Sequence, residues 1–278
     1  MFRKLLAHHP EVHVPRETHF LPLLHEAFDR RAAPARELFD FIEQVFMAKG
    51  ETILERMYRN QDLDAATFRS AVLAPFDGGA GRCTIREFME RFYQVLAEDR
   101  GAGIVGDKTP DYGLCMRMIQ SIWPDAKFIH IARDGRDVAI SMSKVLSFRI
   151  LAASGVDHWW ALAWRKGYQR WLDAARGEIS IERFFELWYN RFLRIRAEAE
   201  GLAPGTYLEI SYAAILRDAG RTLRRVASFL ALPEELSWID FASATVRGGN
   251  LDRNRSSPEY EVLTKRFAAE LRSAGLEA

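Results

Sequence analysis

The chain has 278 residues, of which 48% are hydrophobic and 28% charged, and its formal net charge is +1. A chain of this length buries roughly 75% of the surface that it exposes when unfolded, so one domain over residues 1–278 is expected. The near-zero charge argues against nucleic-acid-binding and polybasic membrane-binding proteins, because both need a large excess of lysine and arginine.

Cysteine content and hydropathy exclude further classes. The two cysteines, Cys83 and Cys115, fit neither a disulfide scaffold nor a zinc cluster. No apolar run approaches the roughly 20 residues of a membrane span, and the apolar positions at the N-terminus alternate with Arg3 and Lys4, unlike a signal peptide. A cytoplasmic location without a membrane span is therefore expected.

The chain begins inside a predicted helix, and a proline-punctuated loop follows it. Phe2, Leu5 and Leu6 form the apolar stripe of that helix. His9 and His13 in the loop could suggest a metal pair, but Pro10 interrupts the helix that would align them and no third ligand is evident, so no metal site is predicted. Glu17 in the same loop is either a general base or a surface glutamate.

Helical stretches over about residues 28–100 lead to a first strand–helix unit. Thr84 and Glu87 predict a capping box. Ile104–Asp107 is predicted as a strand, and Thr109 as the N-cap of a helix with Pro110 at its first position. Lys108 is either a surface residue or a cation aimed at a ligand crevice. The G-x-G-x-x-G pattern over 101–106 precedes its strand, which excludes a dinucleotide fingerprint.

The second unit carries the most charge at its strand end. Lys127–Ala132 predicts a buried strand, and a helix bearing Ser141 follows. Arg133 at the strand end and Ser141 in the helix can both reach an anion at the helix N-terminus, where free N–H groups favour negative charge. The alternative is a solvated turn, because arginine, aspartate and glycine are ordinary turn residues.

A third unit and an aromatic stretch complete the pattern. Asp157–Ala175 places four aromatic residues on one predicted helical face, either as core packing or as the wall of an acceptor pocket. Thr206–Tyr212 predicts a strand with a helix behind it. Three strand–helix units in one chain predict an α/β fold with a parallel sheet flanked by helices.

These segments together resemble PAPS-dependent sulfotransferases, where PAPS is 3′-phosphoadenosine 5′-phosphosulfate. The likeness is to the bacterial group that is similar in motif to tyrosylprotein sulfotransferases. It rests on KFIHIARDGRDVAISMS over 127–143, on GDKTP over 106–110, and on HPEV through PRET over 9–18. The resemblance covers most of the chain in outline and is loose in the middle helices and after residue 240. It implies a P-loop-NTPase-like fold, with helical insertions around 28–100 and 150–200.

The resemblance also implies roles for individual residues. Arg133 and Ser141 would bind the 3′-phosphate, Lys108 would stabilise charge around the sulfuryl group, and Glu17 would be the general base. Later nucleotide contacts are assigned to three residues, namely Arg253, Arg255 and Ser256. The cosubstrate would be PAPS, with no metal, and the acceptor would be a hydroxyl or amine of a small molecule, glycan, lipid or peptide.

One expected element of such proteins has no counterpart in the sequence. The family carries a first strand and a 5′-phosphosulfate loop before the helix that here begins at Met1. The expectation is therefore an N-terminally truncated sulfotransferase, in which the first strand and the loop are missing. The alternative is a catalytically inactive protein of the same fold that binds PAP (3′,5′-adenosine bisphosphate) or a partner.

Overall fold

The computed structural model describes residues 1–29, 31–98, 101–246 and 254–275. The residues group into two compact units. Unit 1 comprises Met1–Pro124 and Trp159–Tyr168, and unit 2 comprises Asp125–His158 and Gln169–Ala278. The expectation of one domain over 1–278 stays a prediction.

Helices hold far more of the described residues than strands do. In chain order, the α-helices are α1 Phe2–Leu6, α2 Phe20–Phe28, α3 Ala35–Ile42, α4 Ile53–Gln61, α5 Ala65–Leu73, α6 Ile85–Ala97, α7 Met116–Ile122, α8 Gly135–Met142, α9 Leu146–Ser154, α10 Trp160–Ala163, α11 Leu172–Arg176, α12 Ile181–Glu200, α13 Tyr212–Arg217, α14 Ala219–Leu230, α15 Leu236–Thr245, α16 Pro258–Arg266 and α17 Ala268–Ser273. The strands are β1 Val12–His13, β2 Ala33–Pro34, β3 Arg82–Cys83, β4 Ile104–Val105, β5 Phe128–Ala132 and β6 Tyr207–Ser211. Among the described residues, no helix is both long and apolar enough to cross a bilayer.

Among the described residues, each unit contains one pair of parallel strands. In unit 1, β1 pairs with β4 in the register Val12↔Ile104 and His13↔Val105. In unit 2, β5 pairs with β6 over five residues, from Phe128↔Tyr207 to Ala132↔Ser211. The predicted strands at 104–107, 127–132 and 206–212 are therefore present, the first of them shortened to two residues, whereas β1 lies in a segment predicted as a loop.

Edge-to-face aromatic packing forms the core of unit 1. Phe92 of α6 lies with its ring centroid 5.2 Å from that of Phe68 in α5 and 5.8 Å from that of Phe20 in α2, both close to perpendicular. Such geometry is favoured by the aromatic quadrupole. The predicted capping box begins α6, since the Thr84 hydroxyl accepts from the Glu87 N–H and the Glu87 carboxylate accepts from the Thr84 N–H.

The aromatic stretch at Asp157–Ala175 does not form the single helix that its spacing predicts. The short helix α10 ends at Ala163, and the next turn contains two non-glycine residues with positive φ, Arg165 at +48° and Lys166 at +59°. A 3-10 helix then covers Gly167–Trp171. The break separates side chains that a continuous helix would align on one face. Of the four aromatic residues of the predicted face, Trp160 and Tyr168 are buried in the core, and Trp164 and Trp171 are half-buried.

Close backbone packing fixes the start of α8 in unit 2. A Cβ added to Gly135 would lie 2.2 Å from the Trp188 ring of α12, far inside van der Waals contact. Only glycine therefore lets α8 approach α12 this closely. The consequence is a fixed position for the turn that joins β5 to α8.

Gly135→Ala should destabilise the protein by about 1–3 kcal/mol, because the new methyl group must displace Trp188 or the helix. Urea unfolding measures this loss. Gly103→Ala is the matched control, since nothing lies within 4 Å of a Cβ at that position and its φ is not in the left-handed region. Equal unfolding free energies for the two variants would contradict the packing argument.

A charged cluster lies on one face of the β5–β6 pair. His130 Nδ1 is 3.2 Å from Glu209 Oε2, and Arg196 Nη2 donates to Glu209 Oε1 at 3.1 Å. The hydrogen bond with His130, followed by the hydrogen bond and charge of Arg196, lowers the pKa of Glu209 to about 2 against the opposing effect of burial. Because the folded-state pKa lies below the ordinary value of 4.5, Glu209 stabilises the fold above about pH 4.5 and loses this effect as the pH falls toward 2.

Glu209→Gln should therefore lower the free energy of unfolding more at pH 6 than at pH 3. Urea unfolding of both proteins across this range tests the expectation. Other carboxylates titrate in both proteins alike, so the difference between wild type and variant isolates Glu209. A gap that stays constant or widens on acidification would show that the cluster does not favour the charged carboxylate.

Candidate functional site

The β1–β4 pairing brings two predicted site residues of unit 1 together. Glu17 follows β1 by four residues and Lys108 follows β4 by three. Parallel strands place their carboxyl ends at the same edge, so the two segments run side by side. The Lys108 ammonium and the Glu17 carboxylate form an ion pair, in which the Lys108 side chain is 46% exposed and that of Glu17 21%.

Residues next to Glu17 and Lys108 form hydrogen bonds that hold the segment after β1 against the segment after β4. The Thr18 N–H donates to Thr109 Oγ1 at 3.0 Å, the Thr18 hydroxyl donates to Asp107 Oδ2 at 2.6 Å, and the Thr109 hydroxyl donates to Asp107 Oδ1 at 2.7 Å. Thr109 lies at the N-cap position of a 3-10 helix over Pro110–Leu114, as predicted, but its side chain makes no capping hydrogen bond. Its hydroxyl proton goes to Asp107 instead.

Two tyrosines complete the surroundings of Asp107. Tyr93 of α6 donates its hydroxyl to Asp107 Oδ2 at 2.7 Å. The Tyr112 hydroxyl lies 2.8 Å from Thr18 Oγ1 and accepts from the Leu21 N–H at 3.2 Å. Since the Thr18 proton is directed at Asp107, Tyr112 must donate to Thr18. Burial raises the pKa of Asp107, and the hydroxyl donors oppose this shift.

His19 lies beside this cluster at the start of α2. It precedes the helix in the left-handed conformation, with φ of +58°, and its side chain is buried. Nδ1 is 3.8 Å from Asp111 Oδ2. Burial lowers the pKa of His19, and the nearby Asp111 carboxylate opposes the shift without cancelling it. The neutral imidazole is therefore favoured relative to a histidine in water.

In unit 2, Arg133 lies at the carboxyl end of β5. Its guanidinium stacks on the Tyr212 ring, with Cζ 4.9 Å from the centroid, and Nη2 is 3.4 Å from Asp137 Oδ2. Arg133 Nε is buried and has no hydrogen-bond partner among the described residues. Ser141, four residues after Asp137 on α8, lies on the same helical face and is exposed.

A partly buried ion pair fixes the first turn of α8. Asp134 caps the helix by accepting from the Arg136 N–H at 2.9 Å, and its two oxygens accept from Arg136 Nε and Nη2 at 3.0 and 2.6 Å. Burial raises the pKa of Asp134, but the hydrogen bonds and charge of Arg136 outweigh it, so the pKa lies below its ordinary value. Arg136 also stacks on Tyr260 of α16, with Cζ 4.4 Å from the ring centroid.

The segment before α16 contacts the same turn. Asn254 Nδ2 donates to Asp137 Oδ1 at 2.7 Å. Arg255 and Ser256, predicted as later nucleotide contacts, follow Asn254 directly and are exposed. The structure thus brings this segment to the Asp137 side of α8. Arg253, the third predicted contact, lies outside the described residues.

The sequence alone does not reveal the side chains that contact and position the predicted site residues. Asp107 adjoins Lys108 and Asp137 lies four residues after Arg133, so their nearness could have been inferred from local spacing. Tyr212 contacts Arg133, and Asn254 contacts Asp137, only because the fold brings these distant residues together. Their contacts had no signal in a single sequence.

Comparison with known proteins gives a consistent result. A family model described as "Sulfotransferase family" matches residues 1–194. The solved structure of a sulfotransferase domain from the curacin biosynthetic pathway is similar with a TM-score of 0.58 and 16% identity, over 96% of this chain and 92% of that one. A sulfotransferase from Mycobacterium avium aligns with a TM-score of 0.45 and 14% identity, over 98% of this chain and 72% of that one. No match was found among curated protein sequences.

The structural likeness to the curacin-pathway domain confirms the predicted α/β fold with parallel strands, and the observed fold is rich in helices. The family match begins at residue 1, includes the segment of Glu17 and the strand–turn–helix of Arg133 and Ser141, and ends within α12. It covers more than half of the chain, so this protein belongs to the sulfotransferase family.

Proposed function

We propose that this sulfotransferase uses PAPS as its donor and transfers the sulfuryl group to a hydroxyl or amine of an acceptor. The observation that carries the proposal is the arrangement at the start of α8. A buried guanidinium nitrogen of Arg133 lacks a partner among the described residues, at the end of a parallel strand and before a helix N-terminus. Such a position favours a phosphate group.

The donor groups in unit 2 fit a 3′-phosphate. Arg133 supplies the free Nε–H, and Ser141 supplies an exposed hydroxyl on the same face of α8. A guanidinium presents several N–H donors in a fixed plane, which suits phosphate oxygens. We assign Arg255 and Ser256 as further contacts, because Asn254 ties their segment to Asp137.

The residues in unit 1 fit proton removal and charge stabilisation. PAPS, when bound, supplies the sulfuryl group, whose bond to the phosphate oxygen breaks as a bond to the acceptor oxygen or nitrogen forms. Glu17 takes the proton from the acceptor. The Lys108 ammonium forms an ion pair with the Glu17 carboxylate that receives this proton. Lys108 also provides positive charge near the negative charge that develops on transfer.

PAP should stabilise the protein more than 5′-AMP or ATP does. At about a hundredfold excess over the dissociation constant, we expect a rise in Tm of about 5–10 °C. Arg133→Ala should abolish the preference, whereas Arg225→Ala, which removes an exposed arginine of α14 in the same unit, should retain it. Equal shifts for the three nucleotides, or an undiminished preference in Arg133→Ala, would contradict the 3′-phosphate assignment.

Glu17→Gln should lower kcat by about 10²- to 10⁴-fold, because the amide cannot take the acceptor proton. The KM for PAPS should change little. Transfer of labelled sulfate to a panel of sugar, lipid, phenol and peptide acceptors measures turnover, with Glu11→Gln, an exposed glutamate in the same segment, as the control. Full activity of Glu17→Gln would remove the base assignment. Binding of PAP without turnover by the wild type would favour the catalytically inactive alternative.

A further inference from the structure

Asp107 forms hydrogen bonds with sequence neighbours of both Glu17 and Lys108, the two residues proposed to take part in transfer. Thr18 follows Glu17 directly, and Asp107 and Thr109 flank Lys108 on both sides. Three hydrogen bonds close a ring through Thr18, Asp107 and Thr109, with lengths of 3.0, 2.6 and 2.7 Å. Every member of this ring is therefore adjacent in sequence to Glu17 or Lys108.

Both threonine hydroxyls of the ring use their donor and an acceptor site, and both oxygens of Asp107 accept hydrogen bonds. Each threonine hydroxyl donates once, to a different oxygen of Asp107, and accepts once, Thr18 from Tyr112 and Thr109 from the Thr18 N–H. Tyr93 adds a third donor to the carboxylate. A carboxylate is the only common side-chain group of this size that accepts at both ends without donating.

We propose that Asp107 is a positioning residue, which holds the Glu17 carboxylate and the Lys108 ammonium in register by fastening the backbones on either side of them. The inference rests on the proposed roles of Glu17 and Lys108. Thr18 is fully buried and Thr109 is 6% exposed, whereas Glu17 and Lys108 extend toward solvent. The ring thus anchors the backbones and leaves the two reactive side chains accessible.

The energetic reason is the steep dependence of transfer rates on alignment. A misplacement of about 1 Å in a catalytic group can cost about 10²-fold in rate. β1 and β4 pair over only two residues, so the strand ladder alone constrains the following segments weakly. The ring supplies the constraint beyond the end of that ladder.

The experiment compares Thr18→Val with Thr18→Ser. Valine keeps the shape of threonine but removes the hydroxyl, so kcat should fall about 10²-fold, while the KM for PAPS stays within about threefold. Serine keeps the hydroxyl and should restore kcat to within about threefold of the wild type. Thr222→Val is the matched control for loss of a buried threonine hydroxyl, which there donates to the Asp218 carbonyl at 2.8 Å. It should leave kcat unchanged.

Asp107→Asn provides a second variant. An asparagine amide places an NH₂ donor against at least one hydroxyl donor in either orientation, so kcat should fall at least as far as in Thr18→Val. All rates are measured at a temperature where circular dichroism shows each variant folded. Wild-type kcat in Thr18→Val or in Asp107→Asn, an equal loss in Thr18→Ser, or an effect confined to KM would overturn the proposal.

A wild type without turnover would defeat the proposed function but would still leave the positioning inference open to test. Crystal structures of the wild type and Thr18→Val then decide it. Displacement of the Glu17–Lys108 ion pair in the variant would support the inference. Retention of the pair in both structures would overturn it.

Discussion

Parallel strand pairing is the constraint on which both groups of candidate residues depend. In unit 1, the alignment of β1 with β4 sets Glu17 beside Lys108, although about 90 residues separate them in the chain. In unit 2, the alignment of β5 with β6 sets Arg133 over the Tyr212 ring, each being the first residue after its strand. An antiparallel pairing would send the segments that follow the two strands to opposite ends.

The strand pairs are short, at two and five residues, so side-chain hydrogen bonds must hold the segments that follow them. The two units use different side-chain groups for this. In unit 1, neutral hydroxyl donors surround Asp107, and they satisfy its oxygens without placing a second buried charge beside it. In unit 2, Asp134 and Arg136 form a partly buried ion pair, and Tyr260 donates a further hydrogen bond to Asp134. Desolvation makes such a pair costly unless nearly every donor and acceptor is matched, and here the pair also caps α8.

The sequence predicts the elements whose signals are local. Thr84 with Glu87 indicates the start of α6, and the isoleucine-rich run before Arg133 indicates β5. The two-residue strand β1 could not be predicted, because its pairing with β4 depends on residues some 90 positions away. The left-handed residues Arg165 and Lys166 likewise have no local signal, so an aromatic spacing of three and four residues predicts a helix that tertiary contacts override.

The same division applies to the candidate site. Glu17, Lys108, Arg133 and Ser141 lie in short sequence motifs, which is why the sequence alone can name them as candidates. Thr109 lies at the predicted N-cap position before Pro110, but its hydroxyl donates to Asp107 and accepts from the Thr18 N–H, and it makes no capping bond to the helix. A charged acceptor forms the stronger hydrogen bond, which explains why the side chain turns away from the helix.

Charge compensation finally explains how a chain of net charge +1 can present cations to an anionic donor. Two of the candidate cations have a carboxylate beside them, Lys108 with Glu17 and Arg133 with Asp137. These pairs lower the free-energy cost of holding positive charge in the absence of ligand, and they also weaken the general attraction for any anion. An anionic ligand must compete with these carboxylates for the same cations. Selectivity must then rest on directed hydrogen-bond donors such as Arg133 Nε, because only a ligand whose oxygens match the positions of those donors gains hydrogen bonds that the carboxylates do not make.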